Sequence, residues 1–111
     1  MVDEIGDGVG PDLRGEALSV GDRVTWTEFF YCGDCYYCSV LNMPQKCVKI
    51  RKYGHDPSDE KPHFLGGFAE YCYILPRTGI VRIPDNMTDE EAAPVMCGVP
   101  TMVSATESVS V

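Results

Sequence analysis

Apolar positions along the chain come in short bursts separated by turn residues, and no long amphipathic stripe runs through it. Before Val24 the punctuation is glycine, at Gly6, Gly8, Gly10, Gly15 and Gly21, which predicts short strands joined by loops. The run RVTWTEFFY, residues 23–31, is β-branched and aromatic, and Val24 and Trp26 alternate with Thr25 and Thr27. That is a strand signal. A cysteine-rich stretch follows, with Gly33, Asp34, Asn42 and Pro44 as turn formers. Residues 49–63 are polar, hold Pro57 and Pro62, and read as an exposed loop. Gly66-Gly67 then opens FAEYCYIL, a further predicted strand, and Pro76-Arg77-Thr78-Gly79 turns the chain into IVRI, another.

Past Pro84 the pattern changes. Thr88-Asp89-Glu90-Glu91 has the form of a capping box, with Thr88 as N-cap, Glu91 reaching back and two more acids suited to the positive end of a helix. Pro94 should end or kink that helix. A second short helix is expected near Val95, against the resistance of Pro100. The pattern as a whole predicts a mainly β chain with short C-terminal helices. Gly6-Asp7-Gly8 begins like a dinucleotide fingerprint, but Pro11 stands where its third glycine belongs and no helix follows. A turn-rich β segment is the reading there.

Length and charge narrow the function. A chain of 111 residues fits one small domain. No stretch is long or apolar enough to span a bilayer. Val2, Asp3 and Glu4 form no basic leader, so a cytoplasmic protein with reduced thiols is expected, and no membrane partner. The net charge of −8, with seventeen acidic against nine basic residues and no basic run, argues against nucleic acid, whose binding requires phosphate neutralisation.

The cysteines carry the chemistry. Cys32, Cys35 and Cys38 recur every third residue, and Cys47 follows after eight more. Disulfides suit neither the reducing compartment nor cysteines three apart, which rarely bridge without strain. An iron–sulfur cluster is a serious competitor, because C-x-x-C-x-x-C opens the ferredoxin pattern. The fourth step is too long for it, and Val48 stands in place of proline. Zinc fits best: four thiolates make a closed tetrahedral site with no position left for substrate, hence a structural one. Its expected task is to hold an exposed lobe that lacks a core.

Several features in order carry a resemblance. GDRV precedes the four-cysteine lobe, and a polar loop, GGFAEY, IPDNMTDEEAA and a lone cysteine in AAPVMCGVPT follow. This order resembles the zinc-dependent alcohol dehydrogenases of the medium-chain dehydrogenase/reductase superfamily, from about Val2 to Glu107. The part resembled is the GroES-like catalytic domain, a partly open β-barrel with a zinc-binding lobe. The polar loop and AAPVMC look closest to the branch associated with phosphonate metabolism.

The resemblance implies that residues 1–111 are a partial GroES-like domain and that Cys32, Cys35, Cys38 and Cys47, spanning lobe 32–47, hold one structural zinc per chain. The interval before Cys47 is one residue longer than the commonest family form, a difference for a loop to absorb. Cys97 resembles a ligand of a second, catalytic zinc. The other family ligands, a cysteine and a GHE-type histidine, would lie ahead of Met1; neither His55 nor His63 takes their place, and both read as exposed. Cys72 reads as packing. The nicotinamide-binding domain of the family would follow Cys97, so NAD(P) is expected only in full-length relatives. The first expectation is therefore an alcohol dehydrogenase fragment, zinc-binding but inactive alone. The alternative is a free-standing zinc-stabilised interaction module that uses Tyr36-Tyr37, although packing of these tyrosines on their own loop is the favoured reading. Since a partial domain is expected to expose apolar edges that neighbouring segments would cover, self-association into a homo-oligomer is a further expectation.

Overall fold

The structure is a computed structural model that describes residues 1–109. Four short strands form, β1 (Val24–Trp26), β2 (Phe29–Phe30), β3 (Arg51–Lys52) and β4 (Ile80–Arg82). Three α-helices accompany them, α1 (Tyr36–Ser39), α2 (Asp89–Ala92) and α3 (Gly98–Ser108), with 3-10 turns at Pro44–Lys46 and Ala93–Met96. The chain divides into two compact units: Met1–Thr27 with the segment from Gly79 onward, and Glu28–Thr78.

In the first unit β1 and β4 pair antiparallel, with Val24 opposite Arg82 and Trp26 opposite Ile80. Asp12 ties the preceding turn to this ladder. One of its oxygens accepts from the backbone N–H groups of Arg14 and Glu16, at 2.8 and 2.9 Å, and the other from Arg82 N–H at 3.1 Å. The carboxylate is buried, and those backbone donors, Glu16 first, hold its pKa below the ordinary aspartate value. Gly79 lets three segments meet: a Cβ there would lie 2.9 Å from Leu13 Cδ1 and 3.1 Å from Thr27 Cγ2. The capping box forms as expected, with Glu91 N–H donating to Thr88 Oγ1 and Thr88 N–H to Glu91 Oε2. Helix α2 stops at Ala92, just ahead of Pro94. Pro100 turns out to be compatible with the next helix: α3 starts at Gly98, so proline falls in the first turn, where its missing N–H costs nothing.

In the second unit β2 pairs antiparallel with β3, Phe29 opposite Lys52 and Phe30 opposite Arg51. Tyr53 is the centre of this unit. Its buried ring lies 5.8 Å from the Phe30 ring, its hydroxyl accepts from Leu75 N–H at 2.8 Å, and it shares a 2.7 Å hydrogen bond with Thr78 Oγ1. Leu65 is buried in the same unit.

Four expectations need correction. Residues 49–63, expected as an exposed loop, contain β3 and the buried Tyr53. The run RVTWTEFFY breaks between Trp26 and Phe29 into two strands. FAEYCYIL forms no strand: Phe68, Tyr71 and Tyr73 are exposed, and one hydrogen bond, Tyr73 N–H to Phe64 carbonyl at 2.8 Å, stands where a ladder was expected. A strand-prone run makes a strand only when a partner supplies the other half of the ladder, and among the described residues none does. Ahead of Val24 the expected short strands are replaced by scattered backbone hydrogen bonds: Val2 N–H donates to Asp22 carbonyl, Gly21 N–H to Val2 carbonyl, Asp12 N–H to Glu16 carbonyl and Leu13 N–H to Ile80 carbonyl. Among the described residues no barrel closes, and the ladders are two separate two-stranded sheets.

Candidate metal centre

All four predicted cysteines meet in the second unit. Strand β2 leads into Cys32, and Gly33 turns the chain at φ +76°, a left-handed conformation natural to glycine. Cys35 is the N-cap of α1 and Cys38 lies within it, so one helical turn brings their sulfurs to 3.4 Å. The chain then reverses through Asn42, also left-handed at φ +50°, and the Pro44–Lys46 turn. This loop absorbs the long step to Cys47, which ends the turn with its sulfur 3.5 Å from that of Cys32.

The four sulfurs lie within 4.8 Å of one another. A zinc–sulfur bond of about 2.3 Å sets the edge of a ZnS4 tetrahedron at about 3.8 Å. The two shortest separations fall just below that edge and the outer bound about one ångström above it, so the cluster fits the ion with small adjustments. Cys47 is buried and the other three are half-buried. Backbone amides point at the sulfurs: Cys32 N–H and Lys49 N–H donate to Cys47 Sγ at 3.4 and 3.3 Å.

The surroundings divide the thiols. The backbone N–H groups of Val48 and Cys38 lower the pKa of Cys35 to about 6, and that of Cys32 lowers Cys47. Burial pushes Cys38 up to about 12, and a hydrogen bond between the Cys32 and Asp34 side chains raises Cys32. The backbone donors thus favour the thiolate at Cys35 and Cys47, and the surroundings favour the thiol at Cys32 and Cys38.

The remaining sequence candidates lie elsewhere. His55 and His63 are exposed and stand outside the cluster, and Nδ1 of His63 lies 3.2 Å from the Ser58 carbonyl. Cys72 is half-buried, and burial raises its thiol. Cys97 is exposed at the start of α3 in the other unit, and among the described residues it joins no group of metal-ligating side chains. Tyr36 and Tyr37 stand edge-on to each other with ring centroids 5.9 Å apart, and both are exposed. Arg77 went unnoticed in the sequence, and it donates a hydrogen bond to the Cys32 carbonyl. Its only signal there is its place in the PRTG turn. Among the described residues no helix is long and apolar enough to cross a membrane.

The chain is similar to known proteins in sequence and fold. The alcohol dehydrogenase GroES-like domain family matches residues 1–85. An alcohol dehydrogenase of Geobacillus stearothermophilus is 36% identical over 99 residues, which cover 87% of this chain and 25% of that protein. A probable cinnamyl alcohol dehydrogenase of Eucalyptus globulus is 35% identical over 105 residues, 86% of this chain and 29% of the relative. A crystal structure of an alcohol dehydrogenase from Thermotoga maritima superposes with a TM-score of 0.76 at 30% identity, over 88% of this chain and 27% of that one. The chain therefore spans about a quarter of the length of these relatives.

Proposed function

Because the chain belongs to the alcohol dehydrogenase family, through its GroES-like domain, we propose that it is the lobe-bearing part of a zinc-dependent, NAD(P)-linked alcohol or aldehyde oxidoreductase. Cys32, Cys35, Cys38 and Cys47 hold one structural zinc, and the chain by itself turns over no alcohol. The observation that carries this reading is the convergence of four sulfurs within 4.8 Å, at separations a ZnS4 site accepts. When bound, the ion supplies a crosslink and leaves no coordination position for substrate. Asp34 and the amides of Cys32, Val48 and Lys49 orient the thiols around it.

The exposed Cys97, which has no companion ligands among the described residues, supports inactivity in isolation. The test joins metal analysis of the purified chain to an assay with NAD or NADP and a panel of alcohols. About one zinc per chain and no turnover are expected. Iron in place of zinc would overturn the metal assignment, and turnover that co-purifies with the chain would overturn the claim of inactivity.

A further inference from the structure

We propose that Arg77 is the positioning residue of the cysteine cluster, latching the Cys32–Gly33 turn and offsetting the charge that four thiolates place around a divalent zinc. The inference rests on the zinc reading above and concerns residues of this chain that the cysteine pattern does not include.

Three observations support it. The guanidinium donates to the Cys32 carbonyl, so it grips the backbone of the first ligand. It also lies over Gly33: a Cβ there would stand 3.0 Å from Arg77 Nε, 3.2 Å from Cζ and 3.3 Å from Cδ. Gly33 is thus required for its left-handed φ and again for the space the guanidinium fills. Thirdly, Arg77 itself adopts φ +67°, a conformation that a non-glycine residue keeps only when its surroundings impose it. They do so through Tyr53, whose hydroxyl bonds Leu75 N–H and Thr78 Oγ1 on either side of Arg77. One hydrogen-bonded path therefore runs from the centre of the unit, through the Leu75–Thr78 turn, to the metal-binding turn.

Charge gives the latch a second role. Four thiolates and one Zn²⁺ carry a net charge of about −2, and a guanidinium stays protonated at any pH the fold survives. Lys49, two residues from Cys47, has its ammonium 3.6 Å from the Asp34 carboxylate. Among the described residues Arg77 makes no ion pair within 4 Å, so its charge is available to the cluster.

The experiment loads the whole chain with zinc and follows metal transfer to a chromogenic chelator at low and high salt. Arg77→Met keeps the aliphatic stem and removes the hydrogen bond and charge, and Arg77→Lys restores the charge alone. Circular dichroism checks that each variant is folded. Arg77→Met should release zinc about tenfold faster than wild type, as outer-shell losses at metal sites do. Wild-type release should accelerate with salt, Arg77→Met should respond less, and Arg77→Lys should recover that response in part. Release from Arg77→Met at the wild-type rate would overturn the proposal. Faster release with an unchanged salt response would overturn its electrostatic half. Failure of the wild type to bind zinc would instead end the zinc reading itself, a result distinct from both.

Discussion

Stripping the metal should unfold residues 32–47 as a unit. The reason is local: within that stretch the one buried side chain is Cys47, so the lobe has no apolar core. Ordering its sixteen residues costs roughly 16 kcal/mol at about 1 kcal/mol each. A structural zinc returns roughly 10–16 kcal/mol. The gap of a few kcal/mol is the size that a handful of hydrogen bonds closes, at about 1 kcal/mol apiece. The lobe supplies them: Cys38 N–H and Ser39 N–H donate to Cys35 carbonyl, Met43 N–H to Tyr37 carbonyl, and Cys47 N–H to Pro44 carbonyl. Without the ion the sum is unfavourable by more than 10 kcal/mol, so no ordered apo-lobe should persist. Hydrogen exchange with mass spectrometry reads this directly. With zinc, amides of residues 38–47 should be protected; after chelation under reducing conditions they should exchange at the rate of an unfolded chain. Exchange around Asp12 and β4, in the other unit, should change far less. Equal protection of the lobe with and without metal would show instead that side chains alone order it.

The other predictions concern the frame around the site. Tyr53→Phe removes the hydroxyl that holds Leu75 N–H and Thr78, and should destabilise the chain by about 1–3 kcal/mol in urea titration. Burial raises the Tyr53 pKa above its unfolded value. Its contribution is therefore whole below about pH 10 and lost as pH rises through the folded value, and the Phe variant should lack that alkaline step. Thr88→Ala deletes the N-cap of α2 and should cost about 1 kcal/mol, seen as faster exchange across α2 with little change in the lobe. Asp12 has its pKa lowered by backbone donors, so its contribution is present above the unfolded value of about 4 and lost as pH falls through the folded one. Thermal melts of wild type and Asp12→Asn should differ at neutral pH and converge on acidification; a gap independent of pH would remove the carboxylate charge from the explanation.

What could be read from the sequence was local in the chain. Cysteines three apart meet because one helical turn brings Cys35 and Cys38 together, and a spacing rule contains that geometry in full. The capping box is local in the same way, since Thr88 and Glu91 need only each other. Strands differ, because alternation states what a segment could do and a partner decides whether it happens. β1 found β4 across more than fifty residues, whereas FAEYCYIL, with an equally good pattern, found no ladder. Arg77 lies further still from legibility. Its contact with Cys32 spans 45 residues and depends on a left-handed backbone at an arginine, which no propensity favours. The turn that holds it there is fixed by a tyrosine another two dozen residues away in sequence. The four cysteines that cluster could thus be found one at a time from spacing. Whatever aims them is a property of the folded unit, and in this chain that property converges on Tyr53 and Arg77, neither of which a search for metal ligands would select.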